Sequence, residues 1–220
     1  GDDPIQTGVA PDTIETRRVA VLRGKVLTRD DSPLSGVTIS ILDHPELGQT
    51  LSRTDGMFDL AVNGGGLLTV QYERNGYLPV QRQVQTSWRD YSSLPDIIMT
   101  PYDSRVTAID LTSSADLQMA QGSVISDSAG VRQATLLFES DIQAELILPD
   151  GSTQPLSDVI NVRATEYTTD DSGPQAMPGE LPFNSAYTYA VEFSLDEAIA
   201  AGAQDVQFNK PVIFYLENSL

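Results

Sequence analysis

Regular alternation of apolar side chains in residues 50–79 limits what this chain can fold into more than any other feature. Apolar residues occupy every second position from 58 to 62 and again from 68 to 72, with polar or small residues between them. A period of two places one set of side chains on one face of an extended chain and is typical of half-buried β-strands. The stretch therefore predicts two strands that each present one face to a core.

Glycine and proline divide this stretch into its elements. Asp55-Gly56 and Asn75-Gly76 are turn signals, because glycine accepts the positive φ of tight turns and Asp or Asn bonds its own backbone. We expect a two-residue hairpin turn at the first of them. Gly64-Gly65-Gly66 lacks the strand–loop–helix context of a phosphate-binding loop and predicts a mobile hairpin loop.

The remainder of the chain has the same strand-and-turn pattern. Strands are predicted at 19–28, 37–41, 81–85 (an edge strand), 95–100, 105–111, 134–138, 144–148, 159–168, 187–193 and 206–216. Trp88 to Tyr91 is predicted as a loop. Ser194 and Glu197 have the spacing of a capping box, which predicts one short helix near 194–201 that ends at Gly202.

These elements predict an all-β protein built from two consecutive β-sandwich-like domains with that single helix. Residues 1–17 lack periodicity and predict a flexible leader, and 18–100 form the first sandwich. A turn at 101–104 is the expected boundary, which leaves 101–220 as the second domain. The chain begins with Gly1 rather than Met and is expected to be a fragment of a longer protein.

Charge and composition narrow the classes of partner. The net charge is −18, and residues 101–220 hold 18 acidic and four basic residues. Such a field repels phosphate backbones, so nucleic acid is not an expected partner. Apolar runs fall short of the ~20 residues of a membrane span, so membrane insertion is not expected either. The chain has no cysteine, which excludes disulfides and thiolate metal sites.

Catalytic, cofactor and metal sites are not predicted. His44 is the only histidine, and the sequence holds neither a G-x-S-x-G nor an HExxH motif. Asp30-Asp31 and Asp170-Asp171 could offer oxygens to calcium, but they lack the D-x-D-x-D-G spacing of a dedicated loop, and turn formation is the favoured interpretation. The chain is therefore expected not to be an enzyme.

Two aromatic residues are the candidate interface. Trp88 and Tyr91 lie in a polar stretch, TSWRDYSS. Interfaces favour Trp and Tyr because these side chains bury a large area at low entropic cost. A protein partner and a glycan are both open as the ligand.

The first half resembles a known module. PLSGV at 33–37, DGMFDL at 55–60 and GYLP at 76–79 resemble, in that order, the pattern of the carboxypeptidase regulatory-like, or transthyretin-like, β-sandwich. The run 53–65 is similar to the copy of this module in teneurins and bacterial RHS/YD-repeat proteins. The resemblance implies a non-catalytic module of a large secreted or bacterial cell-surface protein, with the targeting signal outside these residues.

The second half resembles the segment that precedes the repeat region in bacterial RHS/YD-repeat proteins. LPDGSTQPL at 148–156 and KPVIFYLEN at 210–218 carry this resemblance, and the second run is also similar to ZU5-type domains. The resemblance implies a plug-type domain that packs against and seals a downstream YD-repeat barrel. The alternative is an adhesin-like pair of sandwiches that binds glycan, calcium or a protein partner through its loops.

Overall fold

The computed structural model describes residues 4–127, 130–167, 173–180 and 189–218. The chain divides into two compact units. The first contains Gly1–Pro101 and Thr168–Thr188, and the second contains Tyr102–Tyr167 and Tyr189–Leu220.

The described residues of the first unit form nine strands, one 3₁₀ turn and one helical turn. The strands are β1 Gln6–Thr7, β2 Val19–Leu27, β3 Thr38–Ile41, β4 Gln49–Leu51, β5 Met57–Asn63, β6 Leu67–Glu73, β7 Val80–Gln85, β8 Tyr91–Ser93 and β9 Ile97–Ile98. The 3₁₀ turn spans Pro45–Leu47, and α1 spans Gly173–Ala176.

The first unit is a β-sandwich of two sheets. One sheet has the order β1-β4-β3-β6-β7, and the other has β5-β2-β8, with β9 also parallel to β2. Side chains from both sheets form one core, and the rings of Phe58 and Tyr72 meet edge to face at 5.7 Å. Apolar positions of β2, β3, β5 and β6 that alternate in the sequence are the buried ones, as predicted.

The turn at Asp55-Gly56 does not form the predicted hairpin. Gly56 has the expected positive φ of 79°, but β4 pairs with β3 while β5 pairs with β2. The chain thus crosses from one sheet to the other at this turn, and it crosses back at the glycine loop 64–66 between β5 and β6. Alternation defines the buried face of a strand but not the strand with which it pairs.

Residues 4–17 differ from the predicted flexible leader. Gln6 and Thr7 pair with Thr50 and Gln49 at the edge of the five-stranded sheet. The Gln6 side-chain amide donates to the Leu47 and Ala61 carbonyls. Backbone and amide hydrogen bonds hold residues 6 and 7 in place without apolar periodicity, and Ile14 packs against the core of the sandwich.

In the described part of the second unit there are ten strands and one helix. They are β10 Thr107–Asp110, β11 Leu117–Gln121, β12 Ile125–Asp127, β13 Gly130–Glu139, β14 Ala144–Ile147, β15 Thr153–Leu156, β16 Val159–Glu166, β17 Val191–Leu195, α2 Asp196–Ala201, β18 Asp205–Phe208 and β19 Ile213–Asn218. The strands form three sheets around one core. Two of the sheets have the orders β10-β16-β17 and β15-β14-β18, and in the third β13 pairs with β11, β12 and β19.

The predicted capping box at Ser194 is wrong. Helix α2 begins at Asp196, its N-cap is Leu195, and no side chain caps it. Ser194 lies in β17, and the Glu197 carboxylate accepts instead from the backbone and side-chain amides of Asn161. Gly202 ends the helix in the left-handed conformation, as predicted.

The last predicted strand, 206–216, is two strands. β18 pairs with β14, whereas β19 pairs with β13 in another sheet. Pro211 lies between them, where its missing N–H breaks no ladder. The all-β class is confirmed, while the helical turn α1 was not predicted. Among the residues described, no helix is long and apolar enough to cross a membrane.

Candidate functional site

Trp88 projects from the first unit and lies against the glycine loop. Its side chain is 60% exposed. A Cβ atom on Gly65 would overlap the indole nitrogen and would lie 2.8 Å from Cδ1. Gly65 also has a φ of 96°, which L side chains rarely adopt. The glycine loop thus makes room for an exposed indole ring.

Backbone hydrogen bonds tie the Trp88 segment to its surroundings. The Gly65 N–H donates to the Thr86 carbonyl at 3.0 Å, and the Thr86 N–H donates to the Gly66 carbonyl at 2.9 Å. On the other side of Trp88, the Arg89 N–H donates to the Val19 carbonyl at 2.8 Å. The prediction of a mobile hairpin loop at 64–66 is therefore wrong, because these bonds anchor the loop to Thr86.

Tyr91 lies in strand β8 rather than in the predicted loop, since it pairs with Val21 of β2. Its side chain is 65% exposed. The Arg23 guanidinium lies 5.3 Å from the centre of its ring. Arg23 also donates to Asp59 at 2.5 Å, and Arg53 donates to the other oxygen of Asp59 at 3.0 Å. The Tyr91 ring therefore lies beside an ion-paired cluster.

The Asp59 carboxyl makes the folding stability depend on pH in the acidic range. Partial burial works to raise its pKa, but hydrogen bonds from Arg23 and Arg53 outweigh burial and hold the pKa below the ordinary 3.8. A depressed folded-state pKa adds stability above the unfolded-state pKa, and this stability is lost as pH falls through the folded-state value. We expect Asp59→Asn to lower the free energy of unfolding by roughly 0.5 kcal/mol at pH 7 and by less near pH 2, where more of the carboxyl is protonated.

Urea unfolding at pH 7 and near pH 2 measures this difference. Asp96→Asn, a change of an exposed carboxylate outside the cluster, serves as the matched control. An equal effect of the two variants at pH 7 would contradict the role given to the Arg23–Asp59–Arg53 cluster.

The second unit has an exposed apolar sheet face. Met119 of β11, Leu137 of β13 and Ile213 of β19 are in-register neighbours across three strands. On the opposite side of this sheet, Ala120 and Leu136 are buried in the core. We define the outer apolar face by its exposed members, which are Leu117, Met119, Val131, Ile213 and Tyr215.

This face was not predicted from the sequence. Met119 is 53% exposed and Tyr215 is 55% exposed, although neither interrupts the strand pattern. The available signal was that β13 and β19 are apolar at consecutive positions, as in LLF and IFY, rather than at alternate ones. A strand that is apolar on both faces predicts contact on both faces.

The other sequence candidates form no shared site. His44 lies before the 3₁₀ turn and bonds Glu46 at 2.9 Å. The Asp30 carboxylate accepts from Thr28 and Ser32 within its own turn. Asp170 and Asp171 lie outside the described residues. Within those residues, no group of three or more His, Cys, Asp or Glu side chains could hold a metal ion.

The class of protein domain to which the first unit belongs is indicated by its fold and by two motifs. The fold is a sandwich with these sheet crossings, and the motifs lie at 55–60 and 76–79. The family described as "Teneurin TTR-like domain" matches residues 14–99. This N-terminal region is therefore a teneurin-like, transthyretin-like β-sandwich.

Individual teneurins are similar to about half of the chain. Teneurin-3 of Danio rerio is 37% identical over 94 residues, which are 43% of this chain and 4% of that protein. Teneurin-4 of Homo sapiens is 33% identical over 115 residues, which are 52% of this chain and 4% of that protein. The matched part thus spans about 4% of the length of these relatives.

Solved structures are less similar. The match to a streptococcal ancillary pilin covers 80% of this chain and 59% of the pilin chain, at 8% identity and a TM-score of 0.32. A likeness at this level defines neither the fold nor the function of the chain.

Proposed function

We propose that this chain is a non-catalytic module of a large secreted or cell-surface protein of the RHS/YD-repeat kind. In this proposal the first unit is a structural sandwich, and the second unit packs its outer apolar face against the YD-repeat barrel of the same polypeptide. The bacterial origin and the plug role come from the sequence resemblance alone.

The outer apolar face is the observation that carries this proposal. Neighbouring exposed apolar side chains favour packing against a partner, because each Å² of such surface that becomes buried contributes roughly 25 cal/mol. The row Met119–Leu137–Ile213 presents such surface on three adjacent strands. The similarity to teneurins supports a multidomain parent, since those relatives are far longer than the part matched.

Binding of this chain to the separately expressed YD-repeat segment of its parent protein tests the proposal. We expect saturable association that Met119→Asp weakens at least about tenfold, because a carboxylate at the centre of the contact would lose its water. Val159→Asp is the matched control, since Val159 is a similarly exposed strand residue in another sheet. No association, or equal loss in both variants, would overturn the proposal.

A second candidate function is recognition of a glycan at Trp88 and Tyr91. The observation in its favour is that an exposed indole is held in place by Gly65 and by backbone bonds on either side. Sugars stack on such rings through their apolar faces. Titration with a glycan library, read from the emission of the only tryptophan, tests this candidate. Saturable binding that Trp88→Ala abolishes, without the YD-repeat segment, would favour it over the packing role.

A further inference from the structure

Residues 173–180 belong to the first unit although they lie more than 70 positions beyond its other described residues. They also lie outside the family match, which ends at residue 99. We call 173–180 the strap. Its contacts with the sandwich include one small side chain and two backbone carbonyls.

The side-chain contact is made by Ala176. This residue is 0% exposed and forms a small apolar cluster with Leu27 of β2 and Ile98 of β9. The cluster is separate from the main core of the sandwich. Because its two other members belong to the matched domain, the sandwich itself supplies the walls around this methyl group.

Two donors on strand β7 form hydrogen bonds with backbone carbonyls of the strap. The Arg82 guanidinium, whose residue is only 6% exposed, donates from Nη2 to the Gln175 carbonyl at 2.9 Å. The Gln81 N–H donates to the Pro178 carbonyl at 2.7 Å. Strand β7 lies at the edge of the five-stranded sheet, where unpaired backbone groups otherwise face solvent.

Together these contacts have the composition of a peptide-binding site. A sheet edge and a buried cation bind backbone carbonyls, and an apolar recess accepts a small side chain between them. None of these three contacts is made by a long strap side chain, so together they select for backbone carbonyls and for a small residue at position 176. The charge of Glu180 also acts on Arg82.

We propose that the edge of the first unit formed by Arg82, Gln81, Leu27 and Ile98 is a peptide-binding site that the strap occupies in cis. Its ligand class is a peptide segment with a small side chain between two accessible backbone carbonyls. The strap is the intramolecular example, and a peptide in trans competes with it. This inference concerns a different surface from the packing face and does not rest on the function proposed above.

Release of the strap in the full-length chain provides the test. Ala176→Arg cannot enter the recess, so we expect this variant to bind a fluorescein-labelled synthetic peptide of residues 173–180. Wild-type chain should bind it at least about tenfold more weakly, because its own strap is present at high effective concentration. The same peptide with Ala176→Arg is the matched control and should not bind. In the variant chain, the Gln81 amide should also exchange hydrogen faster than in the wild type.

Three results would overturn the proposal. They are equal peptide binding by wild-type and variant chains, equal binding of both peptides, and lack of binding by a variant that retains the wild-type near-ultraviolet spectrum of Trp88. If Ala176→Arg unfolds the first unit, a chain in which a glycine–serine sequence of equal length replaces 173–180 is used instead. The same three results are decisive for that chain.

Discussion

Replacing Arg132 with alanine is expected to lower the free energy of unfolding of the second unit by about 3–5 kcal/mol. Arg132 is 1% exposed and donates from Nε and Nη2 to one oxygen of Glu166, at 2.9 and 2.7 Å. The two residues lie on β13 and β16, which belong to different sheets, so the pair links these sheets. Alanine would leave the Glu166 carboxylate buried without its cation.

Tyr189 adds to this buried cluster. Its ring centre lies 5.9 Å from the Arg132 guanidinium carbon. Burial, the charge of Glu166 and a hydrogen bond to that carboxylate raise the pKa of the Tyr189 hydroxyl, which therefore stays protonated and can donate. Loss of Arg132 thus removes both the ion pair and the cation on the tyrosine ring.

Native-state hydrogen exchange over β13 and β16 measures the expected loss. Arg105→Ala is the control, because Arg105 is an exposed arginine of the same unit, and we expect it to cost about 0.5 kcal/mol or less. Combined replacement by Arg132→Met and Glu166→Leu should recover most of the stability, since it leaves no buried charge. Unchanged exchange in Arg132→Ala would contradict the role assigned to the ion pair.

Replacing Gly65 with alanine is expected to displace Trp88 and to cost about 2–3 kcal/mol. Part of this cost comes from the φ of 96°, which disfavours any residue with a Cβ. The rest comes from overlap of the new methyl group with the indole ring. The ring can relieve the overlap only by moving towards solvent.

The single tryptophan makes this prediction directly measurable. We expect Gly65→Ala to weaken the near-ultraviolet dichroism of Trp88 and to increase its quenching by acrylamide. Gly66→Ala is the matched control, because a Cβ at Gly66 meets nothing within 4 Å, and its cost should stay below about 1 kcal/mol. Equal effects of the two variants would show that Gly65 does not position the indole.

Sequence periodicity identified the buried faces but not the connections between strands. Phe58 and Tyr72 were predicted on the apolar faces of separate strands, and both are buried. The turn between β4 and β5 was expected to join paired strands, yet it crosses between sheets. A turn residue reports the local φ, whereas pairing depends on which sheet offers the complementary apolar surface.

The candidate site was predicted only in part. Trp88 and Tyr91 were predicted as a possible interface, which stays a prediction, and the structure exposes both side chains. The outer apolar face and the strap were not predicted. For the outer apolar face the signal was ambiguous, because a strand that is apolar on both faces can also be buried on both. Ala176 has no periodic context at all.

The sequence by itself determined the all-β class, the alternating core of the first unit, the left-handed turns at Gly56 and Gly202, and the teneurin-like character of the N-terminal region. These properties depend on residues that are close together in the sequence, because the spacing of apolar residues and the φ preferences of single residues are local. The tertiary structure alone decided that Arg132 pairs with Glu166, that Gly65 makes room for Trp88 and that Ala176 fills a recess near Leu27. Each of these joins residues at least 23 positions apart, and such contacts arise from packing, which no local pattern specifies.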